Sequence, residues 1–195
     1  MELENWTHPA THIKTIEGEE ESLHPIQAYT DGSKSDLGIG AGMLIFLDNN
    51  VIRTMQYGLN ERCRNNQAEQ MAILKALEYI QMMEPEKKIV LVHTDSKITL
   101  QLLQNKKKHT KLIEQIRTKV QEMEQREWRV EFRWLKVHTG HRGKEMADQQ
   151  AKEAARNKNI EEFYIKIPKS VVIVNKKNNV LCVGKENGQK QQKVQ

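Results

Sequence analysis

Aromatic residues are scarce in this chain, at 5 % of 195 residues, and total hydrophobic content is only 37 % against 29 % charged. A core can still be buried at this length, but aliphatic side chains must build it. Only two cysteines occur, Cys63 and Cys182, far apart and without a CxxC neighbour. That excludes a disulfide framework, fits a reducing compartment and speaks against a structural zinc site. There is no run of 18 apolar residues, so no helical membrane span is expected. The opening MELENWTHPATHIKTIEGEEE has neither a basic head nor an apolar stretch, so it does not read as a signal peptide. The expected location is intracellular, nucleus or cytoplasm. No internal repeat and no Pro/Gly-rich linker divides the middle of the chain, which points to one folded unit. What the chain does have is positive charge. The formal net charge is +5 and the isoelectric point about 9.1, the balance of a protein with a polyanionic partner.

Charge also marks the ends. Residues 1–22 hold six glutamates against one lysine and form an acidic N-terminal extension. Residues 159–195 are a polar, basic tail ending in KENGQKQQKVQ that reads as disordered. The folded unit is expected at 23–158. Within it, Ile26 to Asp31 is a short strand ending in the turn signal Asp-Gly-Ser. Ile39–Leu47 and Val51–Tyr57 form a hairpin across Asp48-Asn49-Asn50. Gln67–Met83 is a helix stopped by Glu84-Pro85, and Lys88–His93 is an apolar, β-branched strand of the buried kind. Helices follow at Ser96–Gln104 and Lys111–Arg126. The period-two segment Trp128–Leu135 is a strand, and Gly143–Arg156 is a last helix. The order βββαβααβα predicts an α/β fold: a five-stranded mixed sheet, its first three strands antiparallel and its last two parallel, flanked by helices.

Four acids fall where packing alone does not ask for them. Asp31 ends the first strand. Asp95 follows the fourth, at the carboxyl edge where open α/β sheets bind ligands. The alternatives are ordinary: Asp31 as a turn residue, Asp95 as a helix cap. Glu69 lies four residues before Ile73, and Asn66 seven, on the stripe continued by Ala76, Leu77 and Ile80. A carboxylate and an amide are therefore expected on the core-facing side, where an unpaired charge is costly. A helix-dipole role accounts for a glutamate here but not for its face. Asp148 flanks the small-residue stripe Ala147, Ala151, Ala154 and Ala155, which lets its helix lie close to the sheet. Oxygen-only ligands of this kind suit Mg²⁺, and two such ions clamp a phosphate for attack by water. His138 and His141 lack a third partner and do not make a zinc pair.

Read in order, YTDGS (29–33), NNQAE (65–69), HTDS (93–96) and HTGHRGKEMAD (138–148) resemble the motifs of type 1 ribonuclease H. The wider texture, including NQAEQMAILKALE, WRVEFRWLKVH and ADQQAKEAA, is similar to the ribonuclease H domains of non-LTR retrotransposon polyproteins. The resemblance implies a ribonuclease H-like fold and hydrolysis of the RNA strand of RNA–DNA hybrids. It assigns two Mg²⁺ ions, with Mn²⁺ as a substitute, to Asp31, Glu69, Asp95 and Asp148. It gives His138 a proton-shuttling or product-release role on a glycine-flanked loop. Asn65 and Asn66 match amides that touch the hybrid backbone, where the 2′-hydroxyl separates RNA from DNA, and Ser33 and Arg64 are further contacts. A reverse transcriptase domain or parent polyprotein is an implied partner, and the chain itself is expected to be a monomer.

Two positions depart from the family pattern. Lys97 stands where a polar amide is common, and Lys144 where asparagine usually follows the second glycine. A lysine there either aids phosphate binding or impairs metal occupancy. From Lys97 to Lys119 there are seven basic residues and one acid, centred on Lys106, Lys107 and Lys108. This resembles the basic protrusion with which some ribonucleases H hold the DNA strand; as plain sequence it also fits a solvated helix face. The tryptophans lie at 6, 128 and 134, outside that segment. The competing reading is a catalytically inactive, nucleic-acid-binding remnant of a retrotransposon. A related integrase is set aside because its last acid would fall at Glu131, inside a strand.

Overall fold

The computed structural model describes residues 7–17, 24–136, 141–157, 159–160 and 162–164, the last by backbone alone. Among the described residues seven strands form one sheet: β1 (Lys14–Ile16), β2 (Ile26–Ser35), β3 (Gly38–Leu47), β4 (Asn50–Leu59), β5 (Ile89–Thr94), β6 (Arg129–Trp134) and β7 (Glu162–Tyr164). Their order across the sheet is β1-β6-β5-β2-β3-β4-β7. The same residues hold a short 3-10 helix at Pro9–His12 and four α-helices: α1 (Asn65–Ile80), α2 (Lys97–Gln104), α3 (Lys111–Glu124) and α4 (Arg142–Arg156). The centre is the expected mixed sheet. β2, β3 and β4 run antiparallel, while β5 is parallel to β2 and β6 to β5. The β3–β4 hairpin turns at Asp48 and Asn49, both at positive φ, which short polar side chains tolerate best.

Alternation along the strands divides the core. Ile26 and Ala28 of β2, and Ile39, Ala41, Met43 and Ile45 of β3, face α1, α2 and α3. Tyr29 and Leu44 face the other way, toward Ala147 of α4. The small-residue stripe of α4 acts as expected, and the sheet answers it. A Cβ at Gly42 would sit 2.3 Å from the Ala151 nitrogen, so only glycine lets helix and strand backbones meet. α1 begins on Arg64, whose N–H is bonded by the Gln67 side chain at 3.0 Å, and α2 begins on Ser96, whose hydroxyl accepts the Thr99 N–H.

Three expectations need correction. The sheet has seven strands rather than five, because β1 and β7 are three-residue edge strands, too short to leave a periodic pattern. β1 lies in the segment expected to be an acidic extension. Ile13 joins the main core, and His12 bonds Glu124 of α3. β2 does not turn at Asp31-Gly32-Ser33 but runs on to Ser35, and Gly32 serves a close contact instead of a turn. Apart from Asn159, Ile160 and β7, the expected disordered tail lies outside the described residues, as does Cys182; Cys63 is buried in the main core. Among the described residues no helix is long and apolar enough to cross a membrane.

Candidate active site

The site forms where two neighbouring parallel strands finish. Tyr29 of β2 is in register with His93 of β5, the last pair of that ladder. Asp31 and Asp95 each lie two residues beyond it, so equal offsets place the two acids side by side. The Thr30 hydroxyl, donating to the His93 carbonyl at 2.9 Å, ties the strands together at this level. The third acid arrives from α1. A Cβ on Gly32 would lie 2.5 Å from the Glu69 nitrogen, so the glycine lets the first turns of α1 rest directly on β2. The Gly32 N–H in turn bonds the Glu69 carboxylate.

Asp31, Glu69 and Asp95 each offer an oxygen, and the three atoms lie within 4.8 Å of one another. Asp31 and Glu69 are both 5 % exposed. Oε2 of Glu69 is buried with no hydrogen-bond partner among the described residues, a costly state for a carboxylate unless a cation completes it. Burial pushes the Asp31 carboxyl up to about 6, helped by repulsion from Asp95 and Asp148 and opposed by Lys144. Burial also raises Glu69 well above the usual range, with Asp31 and Asp95 adding to the effect. Three hard oxygen donors that hold excess negative charge out of water fit a divalent cation such as Mg²⁺.

Asp148 stands apart. It is close enough to repel Asp31, but its carboxylate is 40 % exposed and pairs with Lys152 one turn along α4, at 2.5 Å. Ser33 lies on the same strand face as Asp31. Arg64, Asn65 and Asn66 are exposed at the start of α1, with Asn65 Nδ2 3.4 Å from Glu69 Oε1. Asn66 therefore does not face the core as its spacing predicts, because the first turn projects past the packed surface. Lys106, Lys107 and Lys108 are exposed in the loop between α2 and α3. That loop is organised by Arg117, whose side chain is fully buried. It donates to the carbonyls of Leu102, Leu103, Asn105 and Lys108 at 2.7–2.9 Å. His138 lies outside the described residues.

Ordinary helix capping does not account for Asp95, since the cap of α2 is Ser96. Two further groups complete the site. Trp134, 43 % exposed at the end of β6, donates its indole N–H to the Asp95 carbonyl at 3.0 Å and carries the Lys97 ammonium over its ring. Alternation could not have found it: Trp134 shares the phase of the buried Trp128, Val130 and Phe132 and is exposed at the strand's end. Lys144 is buried; its ammonium donates to the Asp31 carboxylate and to the Thr30 carbonyl at 3.2 Å, and pairs with the Asp95 carboxylate at 3.1 Å. The sequence placed this charge near the site but could not place it among the acids.

Comparison with known proteins agrees with this geometry. The RNase H family model matches residues 24–156. A ribonuclease H from Mannheimia succiniciproducens is 29 % identical over 154 positions, covering 71 % of this chain and 92 % of the relative. Among solved structures, RNase H1 of Halobacterium salinarum superposes with a TM-score of 0.51 at 20 % identity, over 66 % of this chain and 96 % of that one. LC11-RNase H1 bound to an RNA/DNA hybrid superposes at 0.50 with 24 % identity, over 66 % and 98 %. At those identities the likeness of the structures is one of fold.

Proposed function

This chain belongs to the RNase H family, and from that premise we propose that it is an endonuclease hydrolysing the RNA strand of RNA–DNA hybrids. The observation that carries the reading is the convergence of Asp31, Glu69 and Asp95 from three separate elements, with one Glu69 oxygen unpartnered among the described residues. These three would hold divalent cations, two Mg²⁺ or Mn²⁺ ions, with Asp148 joining from α4. Bound there, the cations supply Lewis acidity at the scissile phosphate and activation of the attacking water.

The remaining roles belong to the chain itself. Burial of Asp31 and Glu69 keeps water from screening the site, so their charge acts at full strength on whatever cation they hold. Asn65 and Asn66, exposed at the start of α1 beside Glu69, are placed to test for a 2′-hydroxyl, with Ser33 and Arg64 alongside. Trp134 and Lys97 offer a stacking face and a charge beside Asp95. The Arg117-anchored loop presents Lys106, Lys107 and Lys108 to the DNA phosphates. His138, in the segment before α4, is assigned proton transfer or product release. The motif texture supports descent from a retrotransposon polyprotein in which a reverse transcriptase accompanies this domain.

One observation favours a second reading, an inactive hybrid-binding remnant: lysines already neutralise the acids, Lys144 at Asp31 and Asp95, and Lys152 at Asp148. A single assay separates the two. An end-labelled RNA–DNA hybrid is incubated with Mg²⁺ or Mn²⁺ beside single-stranded RNA, duplex RNA and an Asp95→Asn variant. Hybrid-only cleavage that vanishes with Asp95→Asn supports the nuclease. Salt-sensitive hybrid binding without cleavage in either metal sinks it and leaves the remnant.

A further inference from the structure

Lys144 is the third residue of α4, and the start of that helix is pressed onto β2. A Cβ on the preceding Gly143 would lie 2.6 Å from the Tyr29 ring, so glycine is what permits the approach. The approach carries the Lys144 side chain over the ends of β2 and β5. Its ammonium donates to the Thr30 carbonyl and to Asp31 and lies in ion-pair contact with Asp95. The lysine is 8 % exposed, a burial that a charged side chain tolerates only when fully paired.

The charges do not balance, however. One ammonium faces three clustered carboxylates, and Glu69 Oε2 still lacks a partner among the described residues. A divalent cation answers that excess better than an ammonium, and it needs the same Asp31 and Asp95 oxygens. An ammonium and Mg²⁺ in contact with one pair of carboxylates repel each other strongly at low dielectric. The two cations are therefore alternatives.

Building on the metal-site reading above, we infer that Lys144 is the resident counter-cation of the metal-free site and must swing out before Mg²⁺ can bind Asp31 and Asp95. The lysine spares the fold a cluster of bare buried carboxylates while no metal is present. In return it sets a threshold: the site fills only when free Mg²⁺ is high enough to displace an attached competitor. Metal affinity, rather than metal identity, is what this residue tunes. Of the two roles open to a lysine at this position, competition for the metal site is the one its contacts support.

Calorimetric Mg²⁺ titration of the wild-type chain, Lys144→Gln and Lys144→Arg, with thermal melts in EDTA and in Mg²⁺, tests this. Lys144→Gln is expected to bind Mg²⁺ about tenfold tighter or more, since one like charge at contact distance outweighs a decade of affinity. Its melting temperature should drop in EDTA and recover in Mg²⁺, while Lys144→Arg should bind as weakly as wild type. In the wild-type chain, acetylation of Lys144 read by mass spectrometry should be slow in EDTA and faster once Mg²⁺ is saturating. A Lys144→Gln chain that folds only with Mg²⁺ supports the exchange; one that folds in neither condition overturns it. Equal affinity of wild type and Lys144→Gln, or a Lys144 that stays shielded with Mg²⁺ bound, also overturns it. If no variant binds Mg²⁺, the metal-site reading fails and takes the exchange with it. Tighter metal binding by Lys144→Gln without hybrid cleavage leaves the exchange standing and defeats only the nuclease.

Discussion

Replacing Arg117 with methionine should loosen the basic loop without touching Asp31, Glu69 or Asp95, though it also removes the Arg117–Glu114 ion pair. The guanidinium is fully buried and reaches the carbonyls of Leu102 and Leu103 near the end of α2, Asn105 at its C-cap and Lys108 in the loop. It thus serves as a C-terminal cap for α2 donated from α3, adding to the local N–H groups of Asn105 and Lys108 that reach the Leu102 and Asn105 carbonyls. Charge-assisted hydrogen bonds contribute roughly 1.5–3 kcal/mol each. The sum overstates the loss, because the loop is exposed and its carbonyls can rehydrate once it moves. Methionine also keeps much of the buried volume. Removing one partner from a buried charged network typically costs about 3–5 kcal/mol, and that is the expected drop in unfolding free energy by urea titration. It is a large part of the roughly 5–15 kcal/mol that holds a domain together. Hybrid binding should weaken as well. If all three loop lysines lose their phosphates, the slope of log affinity against log salt should fall by about two to three in magnitude. Arg117→Lys, with a single nitrogen, should lose less than methionine on both counts. A stability change below about 1 kcal/mol together with an unaltered salt slope would refute the capping argument.

Gly32→Ala forces a methyl group into the α1 backbone beside Glu69, so it should destabilise the chain by about 1–3 kcal/mol and cut both Mg²⁺ affinity and cleavage. Normal metal binding by that variant would show that the helix approach is not needed. The metal-free chain should lose stability as pH rises from about 4 through about 6. In that window folded Asp31, whose carboxyl titrates near 6 rather than 3.8, still holds a proton that the unfolded chain has released. Melts in EDTA across this range check the slope, and saturating Mg²⁺ should flatten or reverse it. Trp134→Ala removes an exposed ring and the indole bond to the Asp95 carbonyl. Hybrid affinity should fall by about 1–3 kcal/mol in a filter-binding assay if a base stacks there, and by far less if the ring is only structural.

The legible parts of the fold were those with enough residues to show a period. β3, β5 and the helix around Ile73 stood out because alternation or a helical stripe repeats several times within each. β1 and β7 did not, since a three-residue strand has no repeat to detect and exists only because a neighbouring edge is open. Glu69 was readable as buried because it continues the stripe. Asn66 obeys the same arithmetic but lies in the first turn, past the surface that the stripe covers. The turn read at Asp31-Gly32-Ser33 failed because glycine has two uses: there it makes room for α1 instead of bending the chain.

By itself the sequence determined which residues are chemically unusual: acids beside strand ends, an acid on a core stripe, a lysine after the second glycine. Those facts are local, set by residue type and short-range spacing. Their convergence was decided by tertiary structure. Equal offsets beyond Tyr29 and His93 bring Asp31 beside Asp95, and the gap at Gly32 admits Glu69. Asp148 is near in the same motif yet turns to Lys152, while Lys144, four residues earlier, enters the cluster. One turn of a helix is enough to separate those fates. A side chain's direction depends on how its helix is seated on the sheet, and that seating is a long-range packing result no local pattern contains.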